Sequence, residues 1–180
     1  MSKRNRLAEF CRCCLTMISP KLNTKVVFYS KFHRRLDLNH PKTLNEKVLW
    51  LKFNTYWDNP VVKQCADKYR VREYLREKGF SELLTPLIGA YDNIEQIPWN
   101  ALPERFVLKL NIGCGCNLVV ADKSKFDIAD AKKTMKKWMK SRFWLMFAEM
   151  QYKDVEPHIL IEEFLGTSTG GCQWTISSIA

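Results

Sequence analysis

Lys109, followed by Gly113 and Gly115, is the arrangement in this chain best suited to chemistry on an anion. A lysine ammonium is a compact point charge. Glycines allow the positive φ and close backbone approach that a phosphate-cradling turn requires. The stretch 104–120 reads as a strand, a tight turn and a second strand. In the first strand Phe106, Leu108 and Leu110 fall on one face, while Val107, Lys109 and Asn111 fall on the other. The same residues also suit a plain hairpin whose turn needs two glycines, with Lys109 facing water. Further on, His158 to Leu165 is an apolar run bounded by Pro157 and Gly166, read as a buried strand that carries Glu162 and Glu163 near its end.

Metal chemistry has a weaker basis. Cys11 and Cys14 are the one C-x-x-C spacing among the seven cysteines, with no second such pair, and His33, His40 and His158 are scattered, so no zinc site is expected. Cys114 and Cys116 supply only two ligands to a soft metal. An odd cysteine count in a chain this long favours reduced thiols in a cytoplasm over a secreted disulfide framework.

The elements that must hold these residues are legible in part. At 180 residues, with 46% hydrophobic and 27% charged residues, the chain is long enough to bury a core. Lys and Arg total 29 against 19 Asp and Glu, a net charge of +10 with a pI near 9.3. That balance suits phosphorylated ligands, acidic polymers, nucleic acid or an anionic membrane surface. No apolar run reaches the roughly 18 residues of a membrane span.

Residues 1–20 form a basic amphipathic segment that fits a signal peptide poorly and suits a helix, packed on the domain or resting on a membrane surface. A helical region is expected over 21–82. Thr43 and Glu46 have capping-box spacing, with Leu44, Val48 and Leu51 following at helical intervals. Asn59 and Pro60 open a second helix expected to run to near Gly79. Residues 83–103 read as short strands and turns. Asp127 opens a helix with Ile128, Ala131, Met135 and Trp138 on one face. Its opposite side carries Lys132, Lys133, Lys136, Lys137 and Lys140, the most nucleic-acid-like feature of the chain, yet it matches no docking motif and suits a solvated face. From Phe164 to Ala180 no residue is charged, and 166–180 reads as an atypical low-charge tail.

Several stretches together resemble the TupA-like ATP-grasp family, bacterial proteins linked to cell-surface polysaccharide and teichuronopeptide synthesis and often labelled glycosyltransferases. They are Asn39 to Lys47, Trp50 to Lys52, Asp67 to Tyr74, Leu102 to Lys109, Asp122 to Asp127 and Glu162 to Leu165. The resemblance covers roughly residues 22–165. It implies an α+β fold: a helical N-terminal region, then the first part of an ATP-grasp fold over 83–165, with an antiparallel β-hairpin and glycine loop, a helix and a strand. It implies ATP, with Lys109 resembling the strand lysine that contacts the α- and β-phosphates. The turn from Asn111 through Gly113 and Gly115 to Asn117 is similar to the loop that closes over them. Glu162, with the backbone of Glu163 to Leu165, resembles the hinge that hydrogen-bonds adenine. The family's chemistry would join a carboxylate to an amine through an acyl phosphate, with Mg²⁺. No acidic residue follows Glu163, where that fold would place its magnesium ligands, so the chain is expected to be a shortened form, inactive or impaired.

Two other readings compete. One is a glycosyltransferase acting on a nucleotide sugar, against which the lack of an Asp-x-Asp pattern counts. The other is a basic non-enzymatic module for nucleic acid or anionic lipid, of which nucleic acid is the less favoured partner. The expected partners are thus a nucleotide, a glycan or amino-acid substrate, and a peripheral membrane contact at the inner face of a cytoplasmic membrane. No residue is assigned a catalytic role, and whether the chain is an enzyme stays open.

Overall fold

The computed structural model describes residues 3–166, with side chains from residue 7 onward. By their contacts these residues divide into two units, one built from the described residues up to 63 with 142–154 and one from 64–141 with the described residues from 155 onward.

The first unit is helical. It contains α1 (Lys3–Ile18), α2 (Pro20–Phe32), α3 (Leu44–Asn54) and the short α7 (Phe143–Phe147). Ser19 caps α2 ahead of Pro20, whose missing N–H is no loss at a first helical position. The expected capping box at α3 is present: Thr43 accepts from the Glu46 N–H at 3.4 Å, and Glu46 accepts from the Thr43 N–H at 2.9 Å. The Thr43 amide, the Arg34 guanidinium and the Lys42 amide together hold the Glu46 carboxyl down to about 2. α7 is tied to α1 and α2 by polar contacts: the Thr16 hydroxyl donates to the Leu145 carbonyl at 2.6 Å, and the Asn23 amide donates to Thr16 at 2.7 Å and to the Met146 carbonyl at 3.0 Å.

The second unit is built on a four-stranded antiparallel sheet, ordered β1 (Leu87–Tyr91), β4 (Ile159–Glu163), β2 (Phe106–Leu110), β3 (Asn117–Val120). The expected α+β architecture is therefore present. The hairpin of β2 and β3 pairs Phe106 with Val120 and Lys109 with Asn117. One sheet face carries Phe106, Leu108, Val120, Ile159 and Ile161 into a core shared with Ile94, Ile97, Leu102 and Met135. Full burial of each large side chain contributes about 1.5–3 kcal/mol. Met135 and Ala131 lie on α6 (Ile128–Met139), which Asp127 caps by accepting from the Asp130 N–H at 3.0 Å. That capped helix is the one the sequence led us to expect.

One expected element is split. Instead of one helix from Pro60 to near Gly79, the chain forms α4 (Pro60–Ala66), a turn, and α5 (Val71–Glu77). Asp67 causes the break. Its Oδ1 accepts from the N–H groups of Tyr69 at 2.8 Å and Arg70 at 3.3 Å, the local bonding by which aspartate competes with a helix.

Candidate functional site

The second face of the sheet buries polar groups along β2 and β4, beside Val107 and Leu160. Every residue of β2 is buried, so its second face is covered as well as its core face. Lys109 and Asn111 project there, only 5% and 0% exposed, beside Glu162 at 1%. The plain alternative, Lys109 facing water, does not hold. Its Nζ lies 2.6 Å from Glu162 Oε2, while Glu162 Oε1 lies 3.3 Å from Nη1 of Arg72. One buried carboxylate thus bridges two cations that come from β2 and α5.

The Asp67 turn supplies a second set of residues. Lys68, 8% exposed, donates its N–H to the Asn111 carbonyl at 2.9 Å and its Nζ to the Gly113 carbonyl at 2.6 Å. Burial pushes the Lys68 ammonium below its ordinary range. The thiols of Cys114 and Cys116 oppose that shift, the charge of Lys109 adds to it, and Asp67 also opposes it. Asn111 locks the assembly. Its Nδ2 donates to Asp67 Oδ1 at 3.0 Å and to the Glu156 carbonyl at 2.9 Å, and its Oδ1 accepts from the His158 N–H at 2.7 Å. Three cations (Lys68, Arg72, Lys109) face two carboxylates (Asp67, Glu162), leaving a surplus of one positive charge in a buried setting where Coulomb interactions are strong.

The turn between β2 and β3 completes the geometry. Gly113 and Gly115 have φ of 75° and 76°. A Cβ at Gly115 would meet nothing within 4 Å, so the demand there is conformational rather than spatial. Cys114, Gly115 and Asn117 are exposed. Among the described residues, the N–H groups of Gly113, Cys114 and Gly115 donate to no backbone carbonyl. Burial pushes the Cys116 thiol up, which leaves it a poor nucleophile.

At the far end of β4 the Glu163 N–H donates to the Pro86 carbonyl at 3.0 Å, and the Glu163 and Leu165 side chains are not buried. Of the residues singled out from sequence, the structure brings Lys109 and Glu162 together on one face of the sheet and sets Asn111 at the start of the Gly113 turn. Glu163 and Leu165 lie at the β4 end. Lys68, Arg72 and Asp67 escaped notice as site residues because their partners are 44 to 90 positions away in sequence. On α6, Lys132 and Lys136 both pair with Glu95, at 2.6 and 2.8 Å, which neutralises part of that lysine face. Among the described residues no group of three or more His, Cys, Asp or Glu is placed to hold a metal ion, and no helix is long and apolar enough to cross a membrane.

The sequence model of one protein family, described as TupA-like ATPgrasp, matches residues 46–170, more than half of the chain. No curated protein and no solved structure matches.

Proposed function

The chain belongs to the TupA-like ATP-grasp family, and on that premise we propose that its sheet unit binds the triphosphate of ATP at the Gly113–Gly115 turn. The observation that supports this most is a pair of buried lysines close enough to feel each other's charge: Lys68, bonded to the Gly113 carbonyl, and Lys109, held by Glu162 on the strand that leads into the turn. Lysine ammonium groups and outward N–H groups are the donors a polyphosphate needs. In this reading Lys109 and Lys68 take α- and β-phosphate oxygens, and Asn111 to Asn117 cover them. Glu162, Glu163 and Leu165 border the adenine.

The reaction supported by the family is ligation in bacterial surface-polysaccharide synthesis. A carboxylate oxygen attacks the γ-phosphorus and ADP leaves. An amine then attacks the acyl phosphate and phosphate leaves. The chain's own residues supply positioning and charge for the first of these steps. Mg²⁺ would screen the phosphate oxygens, but Asp67 and Glu162, the buried carboxylates of the site, are already engaged by protein donors and do not fit as its ligands. A chain that binds ATP with no turnover of its own is the form of this reading that its described residues support. Titration with ATP should give saturable binding that weakens about 10- to 100-fold in Lys109→Ala, the loss of one or two charge-assisted bonds. Unchanged affinity in that variant would sink the assignment.

A membrane-surface role for the N-terminal helix has its own support. Leu7, Phe10, Cys14 and Met17 follow helical spacing along α1 and are exposed, as is Ile18 at 78%. Between residues 3 and 32, Lys3, Arg4, Arg6, Arg12, Lys21, Lys25 and Lys31 face a single acidic residue, Glu9. An apolar stripe within so basic a segment suits an anionic lipid surface. The full chain should cosediment with vesicles containing phosphatidylglycerol and not with pure phosphatidylcholine. Phe10→Glu with Met17→Glu should abolish the effect; sedimentation that ignores both lipid charge and these substitutions excludes this role.

A further inference from the structure

A cleft of about 290 Å³ opens beside α5, lined by Tyr69, Arg70, Arg72, Glu73, Arg76 and Leu87. Arg70, Arg72 and Arg76 line it together with Glu73, and Arg72 is also paired with Glu162, so the lining keeps a surplus of one positive charge. Arg72 and Arg76 are four residues apart and share a helix face, where like charges repel. The deeper of them, Arg72, is 6% exposed. Its Nη1 reaches Glu162 and its Nη2 donates to the Thr85 carbonyl at 2.6 Å, but its Nε is buried without a partner. Desolvation pushes this guanidinium below its ordinary range; Glu162 opposes the shift, and Arg76 adds to it.

Arg72 serves the sheet by pairing with Glu162 on β4. Arg70 and Arg76 are exposed, and the fold gains nothing from holding two further arginines beside it unless something negative enters the cleft. Guanidinium forks match tetrahedral oxyanions in geometry and hydrogen-bond count. The volume suits a small phosphorylated group, at the lower end of small-molecule sites. The Tyr69 ring, 5.3 Å from that of His158, gives the cleft an aromatic wall.

We propose that the Arg70–Arg72–Arg76 cleft is a binding site for a phosphate monoester dianion, separate from the Gly113 turn. The three terminal oxygens of a phosphate monoester can engage more guanidinium donors than the two oxygens of a carboxylate. Glu162 lies between the two sites, since it holds Arg72 on one side and Lys109 on the other.

Calorimetric titration of the full chain with inorganic phosphate at fixed ionic strength tests this, with acetate as the carboxylate counterpart. Saturable phosphate binding is expected, with no comparable response to acetate. The exposed pair Arg70→Gln and Arg76→Gln should weaken phosphate about tenfold or more, as for lost charge-assisted bonds, and leave ATP affinity within about twofold, the scale of a bystander change. Each variant alone should give an intermediate loss. The proposal is overturned if phosphate binding is absent, if acetate binds equally well, or if the double variant binds phosphate unchanged. A parallel fall in ATP affinity would also overturn it, by making the cleft part of the nucleotide site. Failure of ATP binding with phosphate binding intact would instead count only against the nucleotide assignment.

Discussion

Glu162→Ala is expected to destabilise the sheet unit by about 3–5 kcal/mol, the range for removing one partner of a buried charge pair. The reason lies in what the substitution leaves behind. Glu162 is 1% exposed and holds both Lys109 Nζ and Arg72 Nη1. Without it, two cations remain in a region water hardly reaches, and each loses a charge-assisted bond. Replacing the charges together should be far milder: Glu162→Met with Lys109→Met and Arg72→Met removes the charges along with the need to pair them. Urea denaturation followed by hydrogen exchange at β2 and β4 amides measures both. A loss below about 1 kcal/mol in Glu162→Ala, the level of an exposed ion pair, would mean that the carboxylate does not bridge these cations.

Asn111→Ala should be the next most damaging single change, at about 3 kcal/mol. Asn111 is 0% exposed and spends its side chain on three partners from two distant segments. Truncation strands the His158 N–H and the Glu156 carbonyl and removes one of three donors to Asp67. Each buried group left unsatisfied costs about 1–3 kcal/mol. The loosening should also reach the proposed nucleotide site, because the Asn111 carbonyl accepts the Lys68 N–H that seats the Asp67 turn. A variant with unchanged denaturation midpoint and normal protection of the His158 amide would contradict this account.

What could be read from sequence were features whose cause is local. The capping box at Thr43 and the Asp127 cap depend on residues three apart. The hairpin follows from alternation along β2 and from two glycines in its turn. The strand at 159–163 follows from the apolar residues Ile159 to Ile161 in a run bounded by Pro157 and Gly166. What escaped was set by distant pairing. Asp67 looked like one more polar residue inside a helix, and only its turn with Tyr69 and Arg70, and its contact with Asn111, explain why the helix stops. The segment around α7 gave no sign that it packs with α1, because Thr16 and Leu145 are 129 positions apart. Lys109 shows both sides of this. Its residue type and its distance from the glycines pointed to an anion site, while its burial depended on β4 pairing beside β2. No local pattern carries that.

The sheet order also bears on how the unit comes together in time. β2 and β3 are joined by a short turn and need little chain closure to meet. Among the described residues β1 pairs only with β4, so residues 87–91 find no partner there until 159–163 have arrived between them and β2. Insertion of β4 is therefore a long-range event, of the kind that slows folding relative to local pairing. Until it occurs, β1 and one side of β2 present open strand edges, the surfaces on which a partly folded chain pairs with its neighbours. The residues that gather the charges of the site, Glu162 above all, arrive with that same strand. The buried cluster of Lys109, Arg72 and Glu162 and the closed sheet should thus form in one step.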